Sequence, residues 1–234
     1  MNQRAFRLLP IVAAVVICLG SAAPALAGGG LINHLPADGS YVIFRAKSEV
    51  EFQGNLQTFD RELKMASVGK QQVENEPGRW IELSTELLGR RVFAKLLIAE
   101  RYLKGDQNPF DHIAKAIARG PDGEIIDLPK NQLRQIMTFA LPVTYFDKVE
   151  KKDKAKIKTE LGEYDCETLK GSTEVDGPMD SKVKVAGDIW TNDKVPFGLV
   201  KAKVKGELPF GTIETELEAI KSGTDAKSEL PDSN

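Results

Sequence analysis

The sequence predicts an α+β fold: a strongly curved antiparallel β-sheet, a half-barrel, with about two helices packed on its concave side. Three observations predict it. Several runs alternate apolar and polar residues with the period of a strand, among them Ser181 to Trp190 and Lys201 to Ala219. Two stretches, starting near Asn108 and Lys130, instead repeat apolar residues at helical spacing. No low-complexity block or strong linker separates these parts, so residues 28–221 read as one domain.

The first 27 of the 234 residues stand apart from that domain. Arg4 and Arg7 make a basic start, Ile11 to Leu19 an apolar centre, and Ala25-Leu26-Ala27 a small-x-small cleavage site, the layout of an export signal. The apolar stretch is short for a bilayer span. Lipoprotein processing would make Cys18 the first mature residue, but Ile17 is bulky where that processing takes a small side chain. Cleavage after Ala27 leaves 207 residues and lowers the formal net charge by two arginines, from −2 to −4. That length buries about 70% of the unfolded surface in one core. Mixed, mildly acidic charge gives no phosphate-tracking footprint, which argues against nucleic acid. No later apolar run is long enough to cross a membrane, so the expected compartment is the periplasm or the exterior.

Along the mature chain, Gly28-Gly29-Gly30 is a flexible start, Ala37-Asp38-Gly39 a turn, and Tyr41 to Lys47 a strand. A long hairpin follows, with Arg61 to Glu74 going up, Glu76-Pro77-Gly78 turning, and Arg79 to Leu87 returning with Ile81, Leu83 and Leu87 on one face. Val92 to Ala99 is apolar on both faces, so periodicity alone does not separate strand from helix, and strand is the preferred reading. Asn108 then offers a helix cap, Pro109 suits the first helical position, and Phe110, Ile113, Ala114 and Ile117 form one stripe up to Gly120. A second helix spans about Lys130 to Phe139, with Leu133, Ile136, Met137 and Ala140 as its stripe and Pro142 closing it.

From Val149 onward the pattern is β. Turning at Leu161-Gly162 places Lys158 opposite Asp165, Lys156 opposite Glu167 and Ile157 opposite Cys166, with Cys166 on the apolar face. Cys166 is the only mature cysteine, so no internal disulfide forms, and its place in the register makes it a small core residue. Further on, Lys201, Lys203 and Lys205 face Glu218, Glu216 and Glu214, while Val200–Ala219, Ala202–Leu217 and Val204–Thr215 line the dry face. That register puts Pro209-Phe210-Gly211 in the connecting loop, whereas Pro196-Phe197-Gly198 is a bend between two strands. The tail from Ser222 to Asn234 is polar and unpatterned and is expected to be disordered.

Chemistry leaves little trace. The two histidines, His34 and His112, are far apart and lack HExxH or CxxC partners, so no metal is expected, and both read as surface residues. GxSxG, GxxxxGK[ST] and GxGxxG are all absent from the sequence, which indicates no nucleophile elbow and no phosphate or dinucleotide cradle. The protein is therefore expected not to be an enzyme and to need no cofactor. Trp80, Tyr145, Phe146, Trp190 and Phe197 are the large side chains that would line an apolar cavity, and Trp80, Tyr145, Trp190 and Phe197 are the candidate ligand-binding residues.

Three stretches carry a resemblance: "KLLIAERYLKGDQNPFDHI" (95–113), "GEYDCETLKG" (162–171) and "IWTNDKVPFGLVKAKV" (189–204). Together they resemble a group of uncharacterised secreted bacterial proteins. The last two also resemble the lipoprotein-carrier (LolA/LolB-like) superfamily and its domain-of-unknown-function relatives. The resemblance implies a half-barrel closed by helices that shields acyl chains in transit, and it brings no catalytic residues. Two functions are thus expected of an exported protein: binding a lipid-like or apolar ligand in the cell envelope, or docking a protein partner through a sheet edge or the loop at Pro209 and Phe210. A hydrolase would need a shielded carboxylate or histidine cluster that the sequence does not offer.

Overall fold

Alternation dominates this chain, and the computed structural model is built almost wholly of the strands that alternation forms. It describes residues 29–52, 54–87, 89–105, 107–119, 123–129, 145–176, 182–208 and 211–230. The strands are β1 (Gly29–Gly30), β2 (Tyr41–Phe52), β3 (Asn55–Val73), β4 (Glu76–Leu87), β5 (Arg90–Ala99), β6 (Ile113–Arg119) and β7 (Ile125–Asp127). They continue with β8 (Tyr145–Phe146), β9 (Lys148–Thr159), β10 (Gly162–Asp176), β11 (Lys182–Thr191), β12 (Leu199–Leu208) and β13 (Gly211–Gly223).

Eleven strands form one antiparallel sheet in the order β7-β6-β5-β4-β3-β2-β13-β12-β11-β10-β9, and β1 pairs with β8 in a separate ribbon. Two meanders, β2 to β7 and β9 to β13, therefore run outward from a seam where β2 meets β13. The sheet is neither closed nor strongly curled, which overturns the expected half-barrel. The β9–β10 turn leans over the charged face, where Glu160 reaches Arg45 of β2 at 2.5 Å.

The helices of the predicted α+β fold are corrected as well. Asn108 does cap the chain, its side chain accepting from the Phe110 N–H at 3.2 Å, but the helical turn runs only from Pro109 to His112. Ile113 then enters β6 and pairs with Ile98 of β5. β-branched Ile113 and Ile117 suit a pleated surface, and the ladder offered by β5 pairs the backbone that seven further residues of a marginal, isolated helix would have to satisfy alone. The only other helical turn among the described residues is Glu100–Leu103. The second expected helix, near 130–139, lies outside the described residues, as do residues 1–28 and Pro209 and Phe210.

Hairpin details move by small amounts. The β3–β4 turn is Glu74-Asn75, both at positive φ (48° and 71°), not Glu76-Pro77-Gly78. This two-residue turn needs left-handed conformations, to which Asn is well suited. In β9–β10 the observed partners are Lys158↔Glu163, Lys156↔Asp165 and Ala155↔Cys166, two residues from the expected register. A shift of two preserves faces, so Cys166 still lies inward at 2% exposure. Lys201↔Glu218, Lys203↔Glu216 and Lys205↔Glu214 pair as the charge rows predict.

The main core covers one face of the sheet. Phe44, Met65, Ile81, Leu96, Ile98 and Ile189 project from the strands, and Leu31, Ile32, Leu103, Val195 and Phe197 from the connections, with Phe146 from β8, close over them. Each fully buried side chain of this size stabilises the fold by about 1.5–3 kcal/mol relative to exposure. The opposite face of β3 to β6 is buried too, but differently. There Glu82, Ser84 and Lys95 are all at 5% exposure or less, and the residues that follow β13 hydrogen-bond to Glu82. Composition places Ser222 onward outside the fold, yet β13 runs to Gly223, and Leu230 packs on Phe93 and Ile117.

Candidate functional site

The four residues singled out from the sequence do not meet at one place. Phe197 is fully buried in the main core, and Trp190 packs half-buried against the same core. Tyr145 lies in β8 opposite Gly30 and is nearly buried, next to a fully buried Phe146. Trp80 is on the other face of the sheet: its Nε1 donates to Gln71 Oε1 at 2.9 Å, and Lys95 Nζ stands 5.1 Å from its ring centre.

Phe197 owes its position to a tight bend. The Asn192 N–H donates to the Gly198 carbonyl at 2.9 Å, Val195 N–H to the Asn192 carbonyl at 3.1 Å, and Gly198 N–H to the Val195 carbonyl at 2.9 Å. The Lys194 N–H is held by the Asn192 side chain, which itself donates to the Asp165 carbonyl. Phe197 sits at φ 66° and Gly198 at φ 85°. A non-glycine residue there costs about 1–3 kcal/mol, an amount offset by complete burial of the ring. A Cβ on Gly198 would come within 2.9 Å of Asn33 and His34. The bend is thus a plug that joins the 31–34 segment to the sheet, with the Asn33 N–H bonded to the Phe197 carbonyl at 2.7 Å. Beside it, burial lowers the His34 pKa from its ordinary value, and Asp193, 3.9 Å away, partly opposes that shift.

A polar pocket of about 170 Å³ opens between the β3–β4 turn and the two helical turns. Its lining includes Glu74, Glu76, Arg101, Tyr102, Asp111 and His112. The His112 ring stacks on Tyr102 at 3.7 Å and 4°, and the Arg101 guanidinium lies 4.6 Å from the same ring. Arg101 donates to the Tyr102 hydroxyl at 2.7 Å and pairs with Glu76. That hydrogen bond, then the Glu76 charge, holds the Arg101 pKa above its ordinary value. Asn108 donates to Asp111 at 3.0 Å. Arg101, Glu76 and Asp111 thus already engage one another or their neighbours, and nothing in the arrangement sets a nucleophile beside a base.

The strand edges differ more sharply. β9, at one end of the sheet, carries six lysines in twelve residues, and Lys152, Lys154, Lys156 and Lys158 are exposed. β7, at the other end, is three residues long. Such lysines and such shortness are how proteins keep sheet edges from pairing with other chains. A third edge lies inside the order. β3 pairs with β2 from Asn55 onward, but β4 joins it only at Leu63, opposite Thr85. Where β4 peels away, the Thr85 hydroxyl donates to the Glu62 carbonyl at 2.8 Å. Among the described residues, no strand pairs with the outer side of Asn55 to Asp60. All six are exposed, with Leu56 at 65% and Phe59 at 46%. They include neither Lys nor Pro. Sequence reading began this strand at Arg61 and so missed the segment; Leu56, Thr58 and Phe59 directly after Gly54 are the signal that marks it.

No protein-family profile matches the chain, and no curated protein matches it. Among solved structures it is similar to a candidate lipoprotein of Parabacteroides distasonis, at 12% identity and a TM-score of 0.40, over 83% of this chain and 99% of the other. It is also similar to a candidate exported protein with a YmcC-like fold from Bacteroides fragilis, at 8% identity and a TM-score of 0.39, over 82% and 99% of the two chains. A DUF1329 family protein from Desulfovibrio piger is similar at 9% identity and a TM-score of 0.33, over 83% and 88%. Likenesses this distant carry no inference about a ligand, and the resemblance to LolA/LolB-like carriers finds no support in these three.

Proposed function

We propose that this chain is an exported, non-catalytic interaction module that docks an extended segment of a protein partner on the β3 edge at Asn55–Asp60. The observation that carries the reading is the contrast between this edge and the other two. β9 is guarded by lysines and β7 is cut short, whereas Asn55 to Asp60 is exposed, unguarded and includes two large apolar side chains, Leu56 and Phe59. Main-chain hydrogen bonds along an added strand supply affinity, and the pockets for alternate side chains supply selectivity. Arg4, Arg7, Ile11 to Leu19 and Ala25-Leu26-Ala27 support export to the periplasm or the exterior. No helix among the described residues is long and apolar enough to cross a membrane. The apolar-ligand reading rested on a half-barrel cavity, and with the sheet not strongly curled it is not carried forward.

A photoreactive residue at Phe59 tests the proposal. It is expected to give one discrete adduct of stoichiometric yield in cell-envelope extract, and the same residue at Lys156 of β9 is expected to give none. The double variant Leu56→Lys, Phe59→Lys should abolish that partner while leaving stability within about 0.5 kcal/mol, since both side chains are surface-exposed. Equal crosslinking from the two edges, or none from either, would overturn the reading.

A further inference from the structure

The second buried face has the construction of a peptide-recognition site with a segment of its own chain, residues 228–230, in it. The N–H groups of Glu229 and Leu230 both donate to the Glu82 carboxylate, at 3.1 and 3.3 Å, and the Ser228 hydroxyl donates to it at 2.8 Å. Arg119 Nη2 donates to the Glu229 carbonyl at 2.6 Å. The backbone at Glu229 is therefore read in both directions, donor and acceptor, by side chains rather than by a strand. The side chains are read as well. Glu229 lies 3.4 Å from Lys64 and 3.8 Å from Arg91, and Leu230 is buried to 2% in a slot formed by Phe93 and Ile117. Arg91 and Arg119 in turn stand over the Phe93 ring, at 5.4 and 5.1 Å, forming the rim of that slot.

Glu82 is 3% exposed. A carboxylate buried in the middle of a sheet is stable only when its lone pairs are filled, and here the visible donors include three from residues 228–230. An apolar residue at position 82 would suit a merely structural face better. The side chains present recognise a hydroxyl, then an acidic residue, then an aliphatic one, on an extended backbone.

We propose that this face, formed by Lys64, Glu82, Arg91, Phe93, Ile117 and Arg119, is a second docking surface, distinct from the β3 edge. Its ligand class is an extended peptide with a Ser-acidic-aliphatic core, and Ser228 to Leu230 occupy it in cis as the resident competitor. Only five residues separate Gly223 from Glu229, so the cis segment competes at an effective concentration on the order of millimolar. A partner peptide enters when the resident segment is weakened or drawn off.

The test uses the full chain carrying Glu229→Ala and Leu230→Ala, together with a fluorescein-labelled peptide of the sequence of residues 224–230. Saturable binding to this variant, at least about tenfold tighter than to the unaltered chain, is expected. Adding Arg119→Gln should weaken it by about tenfold or more, and a peptide with Lys in place of its Glu should not bind. The single variant Glu229→Ala, at a half-exposed position, gives the same readout should the double variant fail to melt cooperatively. No saturable binding to either variant, or binding indifferent to Arg119→Gln, overturns the proposal.

Discussion

On one face of strands β3 to β6, Met65, Ile81, Leu83, Leu96 and Ile98 pack into the apolar core; on the other, Glu82, Ser84 and Lys95 are just as buried, yet polar. The first face is held by area removed from water, which is non-directional and tolerant of detail. At Glu82 the second is held by named donors, three of them from residues 228–230. Alternation along a strand tells that its two faces differ. It does not tell that the polar face is dry.

The apolar face is the more costly of the two to disturb. Phe44→Ala removes a fully buried ring from the main core and should cost about 3–5 kcal/mol, read as a lowered midpoint in urea or heat. A loss below about 1 kcal/mol would mean that the core is looser than its burial implies. On the polar side, Glu82→Ala leaves the Ser228 hydroxyl and two N–H groups without their acceptor, at a cost on the order of 1–3 kcal/mol. Its sharper signature is local: the amides of Glu229 and Leu230 should exchange hydrogen much faster, while those of β5 change little. Protection that persists at both amides would contradict the role assigned to Glu82.

Smaller effects come from the β12–β13 hairpin and the bend. Lys203→Glu sets a second carboxylate opposite Glu216 and should destabilise by some tenths of a kcal/mol, a penalty that added salt reduces. His34 gives a pH dependence. Because burial lowers its pKa below 6.5, the folded state binds protons less readily than the unfolded one. Its contribution is therefore fully present above about pH 6.5 and is lost as pH falls through and below that value. His34→Asn should flatten stability against pH in that window; an unchanged slope would assign the dependence to another group.

How far the fold could be read from residues depends on what restricts each element. Lys201, Lys203 and Lys205 with Glu214, Glu216 and Glu218 admit one favourable register, and the hairpin has it. Lys156 and Lys158 meet acidic partners in either of two registers, Asp165 and Glu163 or Glu167 and Asp165, so the charges there left the β9–β10 pairing open by two residues. Asn108 and Pro109 signalled a helix start correctly, but a start does not set a length, and the open ladder of β5 decided it. Val92 to Ala99 is apolar on both faces because it has a core on one side and Leu230 with Phe93 on the other. A sheet edge was expected as a docking surface, but neither the particular edge at Asn55–Asp60 nor the face around Glu82 was legible in advance. An unpaired edge and a covered polar face are properties of where neighbouring strands stop, and no local pattern records that.

The seam between β2 and β13 has a kinetic consequence. Tyr41 meets Gly223 and Phe52 meets Gly211, partners some 160 to 180 residues apart in the chain. Each meander can form by local hairpins, but the ladder at the centre of the sheet waits until the chain is synthesised through β13. Closing so long a loop lowers folding rate far more than stability. Until then β2 presents a bare edge, so a nascent chain is at its most adhesive just before the seam closes.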